Sequence, residues 1–342
     1  MFEDEVSRDK DERDDIVLGS CLPISHSKPT LTVVQQIEHL KTQGVTFEYC
    51  SEEEAGDYLS TANSYLRTRS YRKLYPRRLE GVRKGEYVNL DFGSLVALAS
   101  LDRQMRATFL TISVDIEHFA KMEVLRMAED KDEDGYELVE SFFSSLSRRQ
   151  RKAVDSTLTR RACDDEYAGA LIMHYRDEMP LWVLVEVLDF GMFLTLYKFC
   201  ANRWNDAAMG QRHYVLKDVK ALRNACAHNH CIINGLSPVS ERREYEMNAL
   251  ITDSLNAAGL GRSKSRRSKL QNLRVAQIAA TLYASHSICT RSDTRLRHTR
   301  SLHSLRKRYE ELEPEIRPDN ALSSYFSFIW RLVDVWLSPA LE

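Results

Sequence analysis

Wherever the chain has a hydrophobic pattern, its period is helical. In "SKPTLTVVQQIEHLKTQG" (27–44), Val33, Val34, Ile37 and Leu40 line one side, Pro29 stands near the start and Gly44 where a helix would end. Residues 52–70 continue in helical mode, and 76–90 are rich in turn formers. From Phe92 to Ala128, the apolar positions Leu95, Leu98, Leu101, Met105, Phe109, Ile112, Ile116 and Phe119 predict one long helix, followed by the charged loop 129–135. Residues 179–199, "MPLWVLVEVLDFGMFLTLYKF", are apolar nearly all round and predict a helix buried on most sides, with Glu186 as the exception. A further helix over 213–228 carries Val215, Val219, Leu222 and Cys226 on one stripe.

Beyond residue 238 the pattern gives a basic hinge (259–269), a helix near 270–288, a basic helix near 292–312 and a final amphipathic helix. That last helix aligns Leu322, Tyr325, Phe326, Ile329, Leu332, Val333 and Trp336. Its stripe is expected to pack back on its own bundle, with a contact between protomers as the alternative. No strand-like alternation and no internal repeat is found, so the reading is an all-α helical bundle.

Composition adds boundaries. Of 342 residues, 43% are hydrophobic, enough for a sizeable core. The first fifteen residues hold eight acids against three bases, so 1–27 reads as an acidic, disordered tail. Residues 28–238 then form the main helical domain, and 239–342 a basic helical region packed on it. Net charge is only −2, yet residues 261–308 carry thirteen Lys and Arg against the single acid Asp293. Such a run predicts a surface facing a polyanion.

Seven cysteines are scattered without a C-x-x-C pair, which fits free thiols in a reducing, cytoplasmic setting. No apolar segment opens the chain as a signal peptide would. The most apolar stretches contain Glu186, Asp189, Lys198, Arg331 and Asp334, which argues against a membrane span.

Candidate chemistry concentrates in "RNACAHNHC" (223–231). Cys226, His228, His230 and Cys231 are capable zinc ligands, but they crowd into six positions where a closed site needs two separated pairs. No metal and no other cofactor is expected. Arg223 and His228 stand five apart, about 140° around a helix, and flank one groove. Asn224 and His228, four apart, share a face. A guanidinium suits phosphate and an imidazole moves protons near neutral pH, so the set suits phosphodiester chemistry without metal. The alternative is the polar end of a buried helix, with Cys226 merely packing. Glu186, lone among apolar neighbours, would be costly unless paired. Arg223 or His228 are possible partners, and a salt bridge elsewhere in the bundle is the other reading.

Two regions are candidates for holding RNA. Residues 63–87 interleave Tyr65, Tyr71, Tyr75 and Tyr87 with cations that include Arg67, Arg69, Arg72 and Lys73. Rings stack on unpaired bases and cations track phosphates, unless the tyrosines pack inward and the arginines face water. The second region is the basic run, with Arg262, Lys264, Arg266 and Arg267 followed by Arg295, Arg297 and Arg300. "GLGRSKS" (259–265) lacks both Walker spacing and a preceding strand, so a phosphate loop is excluded.

"LRNACAHNH" (222–230) resembles the "LRNxCAHH" signature of the bacterial abortive-infection Abi-like proteins of AbiD and AbiF type, in the HEPN superfamily of helical ribonucleases. Further blocks match in order. Residues 28–44 resemble that family's opening helix, 63–76 its tyrosine- and arginine-rich second element, and 101–119 its central helix. Residues 174–199 resemble its "P-x-W-x-x-x-E-x-x-S-F-G" block, with Asp189 where Ser is usual. In two places the chain departs from the family. Asn229 displaces the second His of "CAHH" to His230, and "CIING" (231–235) stands where "R-L-W-N-R" usually follows.

The resemblance implies an HEPN-like bundle with added N- and C-terminal helices. It implies metal-independent cleavage of RNA by its own 2′-hydroxyl, leaving a 2′,3′-cyclic phosphate, with Arg223, Asn224 and His228 at the site; Glu186 joins them on the reading that it pairs with Arg223 or His228. It implies an abortive-infection or toxin–antitoxin effector, held silent in some relatives by a small partner RNA. One motif provides one imidazole, so a homodimer with a composite cleft is expected. The alternatives are an RNA-binding module without catalysis and a helical adaptor for a protein partner.

Overall fold

Thr32 opens the first helix with a capping box, accepting from the Gln35 N–H while Gln35 reaches back to the Thr32 N–H. This helix, α1 (Val33–Lys41), buries Ile37 and Leu40, and Gly44 stands at φ +83° three residues beyond its end. A Cβ there would meet Glu86 Cβ at 2.8 Å, so both conformation and space require glycine. The fold is seen in a computed structural model that describes residues 30–236, 246–260, 264–316 and 320–338. The acidic stretch 1–27, the expected boundary at 238 and Arg262 lie outside the described residues.

The helical stretch expected over 52–70 is broken into α2 (Glu52–Asp57), a π turn and α3 (Tyr65–Ser70), because Ser64 starts a new N-cap. Then comes α4 (Phe92–Asp130), the long helix that periodicity predicted, capped by Asp91. It is followed by α5 (Gly135–Ser145), α6 (Arg148–Asp164) and α7 (Gly169–His174). The apolar stretch 179–199 is not one helix but two, α8 (Leu181–Val187) and α9 (Phe190–Arg203). Asp189 makes the break by capping α9, its carboxylate accepting from the Met192 N–H at 2.9 Å. Serine and aspartate are both strong N-caps, so the departure from Ser at this position keeps its task.

Helix α10 (Ala207–Ala227) pairs with α9 and carries the 223–228 motif at its end. The remaining helices are α11 (Ala249–Ala257), α12 (Lys264–Leu270), α13 (Leu273–Ile288), α14 (Ser292–Ile316) and α15 (Asn320–Trp336). Two isolated bridges, Thr46 with Asp91 and Arg77 with Tyr87, are the only strand-like pairings among the described residues. The all-α expectation holds.

Helix α4 is the central post. Helices α10, α13 and α14 pack along it, and one continuous apolar core runs from Ile37 to Leu337. Periodicity had marked 270–288 as one more helix of a basic region, yet α13 is among the most enclosed elements. Val275 to Leu282 are all buried, and the alanines Ala276, Ala279, Ala280 and Ala284 let α4 and α10 approach closely. The apolar stripe of α15 packs inward, with Phe326, Ile329, Leu332 and Trp336 buried, so it offers no free apolar face for a second copy.

Candidate active site

The end of α10 follows a Schellman pattern. His228 is the C-cap, the Asn229 N–H donates to the Cys226 carbonyl at 3.0 Å, and the His230 N–H donates to the Ala225 carbonyl at 2.8 Å. Asn229 sits at φ +63°, the left-handed region that asparagine tolerates better than most side chains. That turn brings His230 back beside His228, their ring centroids 6.1 Å apart and both residues exposed. Asn229 between two histidines is therefore the residue type the reversal needs.

Helical periodicity sorts the rest of the motif. Leu222 and Cys226 turn into the core, and burial pushes the Cys226 thiol up to about 12. Asn224 and His228 face outward. The Arg223 guanidinium is half-buried, and its Nη1 donates to Asn224 Oδ1 at 3.1 Å. Arg223 Nε is enclosed without an acceptor, and no carboxylate pairs with this guanidinium among the described residues. Asn224 thus steadies the arginine rather than the histidine ring. With Cys226 turned inward, the ligands a zinc site would need do not converge. No three of His, Cys, Asp and Glu group as metal ligands among the described residues.

The segment after the motif is held from below by Asp102 of α4, which motif reading missed. Its buried carboxylate accepts from the Ile232 and Ile233 N–H groups at 2.8 and 2.9 Å, from Tyr71 Oη at 3.0 Å and from Arg106 Nη1. Burial pushes this carboxyl above the ordinary aspartate range, against the pull of those donors. Asn234 adds a hydrogen bond to Ser70 Oγ at 2.8 Å. Ile232 and Ile233 are fully buried, so "CIING" works as an anchor that fixes where α10 ends. A polar residue inside the otherwise apolar repeat of α4 was the signal available in the sequence.

Several expected site residues are placed differently. Glu186 is exposed on the outer side of α8, and among the described residues it pairs with neither Arg223 nor His228. The argument from a buried lone charge therefore lapses, because α8 is too short and too near the surface to enclose it. Tyr71 is fully buried on Asp102, Tyr75 donates to the Ile316 carbonyl, and Tyr87 packs under Arg77. None of these three rings can receive a base. Tyr65 is half-buried with Arg69 over it at 5.2 Å, while Arg72 lies 5.9 Å from the Tyr87 ring centre. Arg67 is half-buried and Lys73 exposed.

Part of the basic run is answered within the chain. Arg297 pairs with Asp115 at 2.9 Å, Arg306 with Glu310 and Asp334, and Arg308 with Glu311. Arg266 donates to the Gly259 carbonyl and Lys269 to Ser324. Lys264, Arg267 and Arg300 stay exposed and Arg295 half-exposed. Asp115 and Asp334, distant in sequence, and Glu310 and Glu311, one turn along α14, offset part of the expected mutual repulsion.

A second histidine invites comparison. His298 Nδ1 meets Ser285 Oγ and its Nε2 meets Asp115 Oδ2, both at 2.8 Å. The trio has the connectivity of a hydrolase triad, but Ser285 is fully buried and His298 nearly so. No substrate reaches it. It ties α4, α13 and α14 together.

The Abi-like protein family matches residues 57–234, just over half of the chain. The chain belongs to that family. No curated protein and no solved structure matches it. The Abi-like match begins at the end of α2 and stops one residue short of Gly235, so it takes in α4, α10, Asp102 and the whole 223–231 motif. Helices α11 to α15 lie beyond it and supply α13, on which the Abi-like part packs. No helix among the described residues is long and apolar enough to cross a membrane.

Proposed function

We propose that this Abi-like protein is a metal-independent endoribonuclease of the HEPN superfamily, AbiD and AbiF type, acting as an abortive-infection effector in phage defence. The observation that carries the proposal is the end of α10. An exposed imidazole, His228, stands five residues along from an arginine that no acid among the described residues neutralises and that Asn224 steadies. An unpaired guanidinium half out of water is costly to keep, and a phosphate is the partner its planar fork suits.

The chemistry balances without a redox partner. One imidazole takes the proton of the RNA 2′-hydroxyl as that oxygen bonds to phosphorus. The bond from phosphorus to the 5′-oxygen breaks, and an imidazolium gives the leaving oxygen its proton. A 2′,3′-cyclic phosphate and a 5′-hydroxyl result, and Arg223 stabilises the charge that builds on the phosphoryl oxygens.

Two imidazoles are needed. Two motifs facing across a two-fold axis would supply a second His228, and a homodimer is the arrangement proposed. A second arrangement is favoured by His230, whose ring lies 6.1 Å from that of His228 in the same chain. A small regulatory RNA that silences the enzyme would bind through the same positive surface as the substrate.

Purified full-length protein incubated with RNA in EDTA should cut it and leave cyclic-phosphate ends. Strict dependence on a divalent ion, or 3′-hydroxyl products, would sink the mechanism. Mixing inactive His228→Ala chains into wild type separates the two arrangements. Activity falling as the square of the wild-type fraction means a composite dimer site. A linear fall, together with inactivity of His230→Ala, means that one chain carries both imidazoles.

A further inference from the structure

Lys198, Tyr214, Lys217 and Lys220 come together on the outer side of α9 and α10, and neither motif nor charge run marks them in the sequence. On α10, Tyr214, Lys217, Asn224 and His228 follow one another at steps that keep them on one face. From Tyr214 to His228 that face runs about 21 Å at 1.5 Å per residue. Tyr214 is 48% exposed. Lys198 Nζ lies 5.3 Å and Lys217 Nζ 5.9 Å from the centre of its ring. Lys220 sits one turn before Arg223, and its Nζ is 3.4 Å from where a Cβ on Gly191 would stand.

Three facts point to an anionic occupant. None of the three lysines forms an ion pair among the described residues, in contrast to Arg297, Arg306 and Arg308 of α14. Asp189, the acid beside Lys220 at Gly191, is already committed to capping α9. The neighbouring His213 is held down to about 4, first by its burial and then by Lys217, Lys198 and Lys220, so the three ammonium groups act on one small region.

We propose that this face is a binding track for an unpaired RNA strand, with a base on Tyr214 and successive phosphates on Lys198, Lys217 and Lys220, leading the strand to Arg223 and His228. A base stacking on Tyr214 displaces the two ammonium groups from the ring onto the flanking phosphates, where each gains a full charge partner in place of a quadrupole. One accessible ring serves an unpaired strand and not a duplex, whose bases are already stacked. The inference rests on the ribonuclease reading for the direction in which the strand runs, and the track itself is tested by binding alone.

The experiment measures binding of a labelled, unstructured twelve-nucleotide RNA to full-length protein by fluorescence anisotropy. A His228→Ala background removes cleavage. Tyr214→Ala should weaken binding about tenfold, as loss of one stacked base does, while Tyr214→Phe stays within about twofold. Converting Lys198, Lys217 and Lys220 together to Gln should weaken binding and lower the slope of log Kd against log salt by about 2. Binding of an RNA duplex of equal length should be insensitive to Tyr214→Ala.

Wild-type affinity in both the Tyr214→Ala and the triple-lysine variants overturns the track, whatever the cleavage assay gives. Weakened binding in these variants with no cleavage by wild type keeps the track and removes the nuclease. Cleavage by wild type with unaffected binding in the variants does the reverse. An equal loss on the duplex overturns the assignment to an unpaired strand.

Discussion

The C-terminal basic run and the lysines of α9 and α10 make opposite impressions in sequence and in space. The run is conspicuous in one dimension, thirteen cations against one acid over 261–308. Folded, part of it is spent, since Asp115, Glu310, Glu311 and Asp334 take up Arg297, Arg306 and Arg308. Lys198, Lys217 and Lys220 are unremarkable in one dimension, yet Lys198 and Lys217 converge on the Tyr214 ring, Lys220 lies near the same His213, and none of the three forms an ion pair among the described residues. Charge density along a chain is therefore a poor guide to potential at a surface. What a partner meets is the charge the fold has left unanswered.

The largest effect expected from that contrast is on an unanswered group. His228→Ala should lower RNA cleavage by about 10²–10⁴-fold, the usual worth of a general acid or base, with the melting temperature unchanged because the ring is exposed. Cleavage rates and thermal melts on the same samples check both halves. Full activity would place the chemistry elsewhere.

The most fully answered charge gives the converse. Asp102→Ala should cost about 3–5 kcal/mol of stability, because it leaves Arg106 buried without a counter-charge and frees the Ile232 and Ile233 N–H groups. Chemical denaturation reads this directly. A loss below about 1 kcal/mol would mean that the anchor is replaceable.

Acidification tests the buried histidines. Burial lowers His298 and His213 from the ordinary value of 6.5, the latter to about 4. The unfolded chain then binds more protons than the folded one below 6.5, so stability is fully present above that pH. It is lost as pH falls from 6.5 toward 4. Melting temperature against pH should decline across that window, and His213→Gln should flatten part of the decline. A flat wild-type profile would contradict the assigned burial.

Smaller effects come from the surface. Asp189→Ala should cost about 1 kcal/mol through loss of the α9 cap, and Asp189→Ser almost nothing. Arg306→Gln should cost at most about 1 kcal/mol and leave RNA affinity within twofold, since its charge is already taken up. A tenfold loss of RNA binding in Arg306→Gln would return the basic run to the interface and break the comparison.

Sequence by itself determined the all-α class, the length of α4, the amphipathic α15 and the motif that ends α10. All of these depend on neighbours three or four residues apart, and helical periodicity reports such neighbours faithfully. The polar sequence "RNACAHNH" also carried its own turn, because Asn229 suits the left-handed position that follows a helix. Tertiary structure decided the rest. It split 179–199 at Asp189, exposed Glu186, buried Tyr71, Tyr75 and Tyr87, and put α13 at the centre. It brought Asp102 under Ile232 from 130 positions away and set Asp115 against Arg297 across 182. Whether a charge is answered depends on which residues the folded core brings near it, and no local pattern of the chain encodes that distance.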